Sequence, residues 1–216
     1  MEWLFGILDF FIHLDHHINA IIDQYGTWVY LIVFVIIFCE TGLVITPFLP
    51  GDSLLFVLGT FASNGPLHLW LLLAVFLTAA ILGDSVNYYI GHLLAPKVFS
   101  NQKLPFIKRE YLDRTQHFYE KYGGKTIIIA RFVPVVRTFA PFLAGVGSMN
   151  YFKFIFYNVT GAFLWVVSLT LAGYFFGNIP IVEKNFTAVV YLIVVISILP
   201  AAIEMLWHKC AGAKKS

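Results

Sequence analysis

The chain has 216 residues, of which 59% are hydrophobic, 18% aromatic and only 12% charged, with a net charge of +2. Soluble domains carry about 25% charged residues, and a water-exposed globule of this composition would present apolar patches that aggregate. Disorder, a collagen-like chain and a disulfide scaffold are excluded as well, which leaves an integral membrane protein of all-α class.

Residues 1–25 alternate apolar and polar groups at helical spacing, with Trp3, Leu4, Leu8, Phe11 and Ile12 against Asp9, Asp15, His16, His17 and Asp23. That pattern predicts an amphipathic helix at the membrane interface or against the bundle. No Lys or Arg precedes Lys97, so the basic start of a cleaved signal peptide is not expected.

Thr27 to Cys39 is an apolar run of thirteen residues closed by Glu40. At 1.5 Å per residue it reaches roughly 20 Å, short of a hydrocarbon core about 30 Å thick. Thr46-Pro47-Phe48-Leu49-Pro50-Gly51-Asp52 then breaks the chain before a second short run, Ser53 to Ala62. Two prolines and a glycine do not continue a helix, so the expectation is a re-entrant hairpin.

Ser63-Asn64-Gly65-Pro66 is a turn, and Leu67 to Ala95 is long enough to cross a bilayer despite Gly83, Asp84 and Asn87. Lys97 to Lys125 is a charged stretch, helical around Arg109 to Tyr122 and ended by Gly123-Gly124. Thr126 to Met149 is apolar but interrupted by Arg131, Pro134, Arg137, Pro141 and Gly145. Asn150 to Phe176 and Thr187 to Trp207 read as full spans, with a polar loop at Asn178 to Asn185 between them.

The interrupted segments resemble each other: Thr46-Pro47-Phe48-Leu49-Pro50-Gly51 has a counterpart in Ala140-Pro141-Phe142-Leu143-Ala144-Gly145. Tyr88-Tyr89-Ile90-Gly91 is echoed by Tyr174-Phe175-Phe176-Gly177. The expected organisation is an N-terminal helix (1–25), a first repeat (26–95), a basic connecting helix (96–125), a second repeat (126–177) and a C-terminal span with a basic tail (186–216). Seven basic residues lie between Lys97 and Lys125, and Lys209, Lys214 and Lys215 lie in the tail. Both regions are therefore expected on the cytoplasmic side, which makes the two hairpins enter from opposite faces, as in inverted-repeat transporters.

Glu40, Asp52, Asp84, Arg131 and Arg137 fall inside apolar segments. Each charge at bilayer centre costs roughly 2.5–3.5 kcal/mol on insertion scales, so these groups must pair, meet water or sit near an interface. Acids on the first hairpin and arginines on the second offer a pairing of Glu40 and Asp52 with Arg131 and Arg137. Asp52 also suits a helix N-cap, Asp84 a hydrogen bond to Asn87 or backbone, and the whole cluster a structural ion pair. The functional reading uses the same groups: arginine grips phosphate bidentately and keeps its charge, as an anionic lipid headgroup requires. A carboxylate in a low-dielectric pocket holds a proton more readily, which makes Glu40 or Asp52 a proton carrier.

Other signals are weaker. His13, Asp15, His16 and His17 lack further ligands for a metal, and Gly123-Gly124-Lys125-Thr126 lacks the earlier glycine of a P-loop. Trp28, Trp70, Trp165 and Trp207 lie near segment ends or within spans, where some would form interfacial belts. Cys39 and Cys210 give no disulfide framework. No catalytic residues, metal or cofactor are expected, and no spacing of a nucleophile and base supports an enzyme.

Glu40-Thr41 with Pro47-Phe48-Leu49-Pro50-Gly51-Asp52, followed by Arg131-Phe132-Val133-Pro134-Val135-Val136-Arg137, resembles the DedA family of bacterial inner-membrane proteins. Phe118-Tyr119-Glu120-Lys121-Tyr122-Gly123-Gly124-Lys125-Thr126 and Tyr174 to Gly177 extend the resemblance over nearly the whole chain. It implies a VTT-type fold with two opposed re-entrant hairpins, within a superfamily that includes eukaryotic lipid scramblases. It further implies a multi-pass inner-membrane protein tied to envelope integrity and dependent on the proton-motive force, with undecaprenyl-phosphate flippases among its relatives. The family's essential acids fall on Glu40 and Asp52, and its essential arginines on Arg131 and Arg137.

The leading expectation is therefore a flippase for a phosphate-bearing carrier lipid or another anionic phospholipid. Its partners would be membrane lipids, protons and a second copy of the chain, and not nucleic acid. Secondary site residues are Asp84, Pro47, Pro50, Gly51, Pro134 and Pro141. The competing readings are a proton-coupled exchanger of small cations, a non-transporting envelope scaffold and, last, an enzyme acting on lipid phosphates.

Overall fold

The computed structural model describes residues 26–43, 51–63, 65, 67–99, 123–177, 179, 180, 182, 188, 189 and 192. The N-terminal amphipathic helix, the break at Pro47 and Pro50, most of the basic connecting stretch and most of the C-terminal span lie outside the described residues. Six helices carry the described fold: α1 (Trp28–Gly42), α2 (Gly51–Ser63), α3 (Leu69–Phe99), α4 (Lys125–Ala130), α5 (Pro134–Val146) and α6 (Tyr151–Phe176). Among the described residues there are no strands.

Local sequence accounts for most boundaries. Gly65 adopts φ +100° in the predicted turn ahead of α3, a region open to glycine without a Cβ penalty. Pro134 opens α5 at its first turn, where its missing N–H and fixed φ are tolerated. Asn150 caps α6, its side chain accepting from the amides of Phe152 at 3.0 Å and Lys153 at 3.3 Å. Two expectations need adjusting. Pro141 does not interrupt its segment but lies inside α5, because a proline removes one hydrogen bond and packing can hold the helix around it. The basic connecting stretch also gives up both ends to helices, Lys97 to α3 and Lys125 to α4.

Within α3, Leu69–Ala95 is a 27-residue apolar stretch, and α6 has 26 residues. At 1.5 Å per residue both exceed the roughly 30 Å hydrocarbon core, whereas the 15 residues of α1 and 13 of α2 do not. The long helices run antiparallel, since Asn158 of α6 bonds the Ile81 carbonyl at 3.1 Å while Tyr151 reaches Ser85. The short helix α1 runs parallel to α3: the Tyr30 hydroxyl accepts from the His68 amide at 2.9 Å, and Gly42 abuts Gly83. In the same sense α4 follows α6, with Gly124 against Tyr157 and Ile128 against Gly161.

The second short helix of each pair crosses the other long helix. α2 packs on α6 and α5 packs on α3. A Cβ on Gly59 would overlap the Thr170 carbonyl and one on Gly173 the Phe56 carbonyl; likewise Gly145 meets Tyr88 and Gly91 meets Phe142. Bare backbone at these crossings lets the helices approach closely, the usual device between membrane helices. The two crossings share one pattern, with Phe56 and Gly59 of α2 placed against α6 as Phe142 and Gly145 of α5 are against α3. The main apolar core gathers α1, α2, the first half of α3 and Ala162, Trp165 and Val166 of α6.

Candidate functional site

Five charged side chains meet where the helices converge. Glu40 lies in the last turn of α1, Asp52 in the first turn of α2 and Asp84 at mid-length of α3. Arg131 lies in the break between α4 and α5, and Arg137 one turn into α5. Glu40 is fully buried, and Asp84, Arg131 and Arg137 are buried.

Arg137 joins both acids of the first half. Its Nη1 is 2.6 Å from Asp52 Oδ1, and its Nη2 bonds Glu40 Oε1. Glu40 Oε1 also accepts from the Gly51 amide at 3.2 Å. A side chain at Gly51 would overlap the Glu40 carboxylate, so the glycine makes room for the acid.

Arg131 departs from the expected pairing. Its Nη2 bonds Asp84 Oδ2 and, at 2.9 Å, Asn158 Oδ1, so its partners come from the two long helices and not from α1 or α2. The cause is local. α4 runs along α6 with Ile128 against Gly161, so Arg131, just past the end of α4, is held beside Asn158. Asp84 accordingly pairs with Arg131 and not with Asn87. Asn87, fully buried, instead donates to the carbonyls of Thr41 at 3.2 Å and Thr138 at 2.7 Å. It thus ties the backbone beside Glu40 to the backbone beside Arg137. Pro141, with no N–H, leaves the Arg137 carbonyl without its i+4 helical donor.

Trp165 links the two clusters. Only 1% exposed, it donates from Nε1 to Asp52 Oδ1 at 2.9 Å. The guanidinium carbons of Arg131 and Arg137 lie 5.7 Å and 5.2 Å from its ring centroid, within cation–π range. Sequence reasoning grouped this residue with interfacial tryptophans. Trp28 and Trp70 do sit exposed at helix starts, but Trp165 is at the centre. Asn158 was also missed, and Asn87 was noted only as a partner for Asp84; a lone amide in an apolar span is the signal for both, because buried amides bridge membrane helices.

Three carboxylates face two guanidinium groups. Buried without a hydrogen-bond partner among the described residues are Glu40 Oε2, Arg131 Nη1, Arg137 Nε and Asn87 Oδ1. Chemically, the cluster holds two fixed positive forks with spare donors next to acceptors with spare lone pairs, shut inside an apolar body.

The VTT domain model matches residues 49–175, a span holding every charged member of the site except Glu40. Protein DedA of Escherichia coli K12 is 54% identical over 216 residues, covering 99% of each chain. A membrane protein of Mycobacterium leprae is 42% identical over 174 residues, 81% of this chain and 78% of that one. Inner membrane protein YqjA of Escherichia coli K12 is 33% identical over 189 residues, 85% of this chain and 86% of that one. No solved structure matches the chain. A domain match over more than half the chain, together with full-length identity to DedA, places the protein: it is a membrane protein belonging to the DedA family.

Proposed function

We propose that the protein is a lipid transporter of the bacterial inner membrane that moves a phosphate-bearing lipid headgroup between leaflets, undecaprenyl phosphate or another anionic phospholipid. The observation that carries this reading is the pair of buried arginines against one tryptophan ring, each keeping a donor that no described residue takes. Guanidinium forks in a dry site suit phosphate recognition. Substrate phosphate displaces Asp52 and Glu40 from Arg137, and a proton taken by a released carboxylate couples the step to the proton-motive force. The chain acts as a carrier and not as an enzyme.

Two short helices parallel to their neighbouring long helices, which are themselves antiparallel, support a plan of two re-entrant arms inserted from opposite faces. The shared glycine crossings support an inverted repeat. The basic residues from Lys97 to Lys125 and the tail lysines support a cytoplasmic C-terminus.

The test is leaflet-resolved exchange of fluorescent phosphatidylglycerol and of undecaprenyl phosphate in proteoliposomes, with and without a pH gradient. Wild-type protein should accelerate exchange, and Arg131→Ala or Arg137→Ala should abolish it. Absence of exchange by the wild type sinks the reading. The unpartnered Glu40 Oε2 in a site with more acids than arginines favours one second reading, a proton-coupled cation exchanger. In that case Arg→Lys changes keep activity, whereas a bidentate phosphate site loses it.

A further inference from the structure

α3 carries a continuous polar face within an apolar span. Asp84, Ser85, Tyr88, Tyr89 and His92 fall at i, i+1, i+4, i+5 and i+8, which is one side of a helix. The stripe covers about 12 Å along the axis at 1.5 Å per residue, from the Arg131 ion pair toward the C-terminal end of α3. Its inner members are buried, while Tyr89 is 49% exposed and His92 is exposed.

Tyr151, at the start of α6, covers the stripe. Its ring centroid lies 5.5 Å from that of Tyr88 and 5.2 Å from that of Tyr89, and its hydroxyl is 3.5 Å from Ser85 Oγ. His92 stacks on Tyr88 at 6.3 Å, and the Tyr88 hydroxyl donates to the Met149 carbonyl. An interfacial belt would turn such tyrosines outward to lipid at a helix end. Here Tyr88 is only 4% exposed, and the Tyr151 hydroxyl reaches Ser85, the neighbour in sequence of the Asp84 that holds Arg131. The other end of the site differs: the main apolar core fills the space between α2, the first half of α3 and α6.

We propose that this stripe is the route by which a phosphate-bearing lipid headgroup reaches Arg131 from the side of the α3 C-terminus, while the apolar core closes the site to the opposite side. The proposal rests on the lipid-transport reading. Hydroxyl and imidazole groups at successive turns replace part of the water that a phosphate sheds on leaving the interface. The spare donor of Arg131 receives it at the inner end.

Side-specific thiol labelling of the full chain tests this. Cys39→Ala and Cys210→Ala provide the background for single changes Ser85→Cys, Tyr89→Cys and Thr60→Cys, with Asn150→Cys and Thr27→Cys reporting the two faces. Each protein is reconstituted in phosphatidylcholine vesicles and exposed to a membrane-impermeant thiol reagent from either side. The cysteines replacing Ser85 and Tyr89 should react only from the face that labels the Asn150 substitution, and the one replacing Thr60 from neither. Added phosphatidylglycerol should slow the Ser85 position about threefold, as two-thirds occupancy gives, and inorganic phosphate should not.

Ser85→Cys is nearly isosteric, and gel filtration in detergent checks each fold. Lipid exchange intact with the Ser85 position unreactive, or reactive from the Thr27 face, overturns the route alone. Protection by inorganic phosphate without protection by phosphatidylglycerol overturns the lipid as its occupant. Side-specific labelling without lipid exchange by the wild type overturns the transport reading beneath it.

Discussion

Asp52 and Arg137 meet across the two halves of the chain, with Arg137 Nη1 2.6 Å from Asp52 Oδ1. The same arginine holds Glu40, so one guanidinium joins α1, α2 and α5. The second arginine, Arg131, is anchored to α3 and α6 through Asp84 and Asn158. The two guanidinium groups therefore belong to different parts of the fold.

Arg137→Lys should lower lipid exchange far more than it lowers stability, since an ammonium satisfies charge but not two acids in a fork. Arg137→Ala should do both, because breaking a buried pair costs about 3–5 kcal/mol. Exchange assays beside thermal unfolding in detergent separate the two. A Lys variant as active as wild type would contradict the bidentate role.

Asp84→Asn and Arg131→Gln should each destabilise the protein, and the double variant should lose less than the sum. Contacting charges typically couple by about 0.5–3 kcal/mol. Denaturation of the four proteins of the cycle in mild detergent measures this. Additive losses would mean that the Asp84–Arg131 pair does not hold α3 to the break before α5.

Trp165→Phe keeps a ring beneath the arginines but removes the N–H that bonds Asp52. Loss of a hydrogen bond to a charged group costs about 1.5–3 kcal/mol, and a weaker cation–π face adds to it. Trp165→Leu removes both, so the order of unfolding midpoints should be wild type, Phe, then Leu.

Gly59→Ala and Gly145→Ala place a methyl group on opposing backbone, at Thr170 for the first and Tyr88 for the second. Backbone cannot step aside as a flexible side chain does, so each should cost about 1–3 kcal/mol. Gly65→Ala offers no collision, since nothing lies within 4 Å of its Cβ position; its cost comes from φ +100° alone. Comparing the three midpoints separates crowding from backbone strain.

Much was legible in the sequence because the bilayer imposes simple rules. Scarce charge and long apolar runs identify a membrane protein, and Pro134 marks the end of one helix and the start of the next. The misplaced Glu40, Asp52, Arg131 and Arg137 announce a buried polar site from composition and position alone. Pro141 misled, since a proline weakens a helix without saying whether neighbouring helices hold it together. Trp165 and Asn158 gave too little signal, because one aromatic or amide in a span looks the same whether it faces lipid, core or site.

By itself the sequence determined the class of the protein, its short and long helices and the charges that a bilayer would reject, since those follow from composition and period along one chain. The tertiary structure alone decided the partners. Arg131 took Asp84, Arg137 took both Glu40 and Asp52, and Trp165 came between them. The pairing depends on which helix crosses which, and that is set by glycines whose bare backbone meets helices distant in sequence, Gly59 at Thr170 and Gly145 at Tyr88.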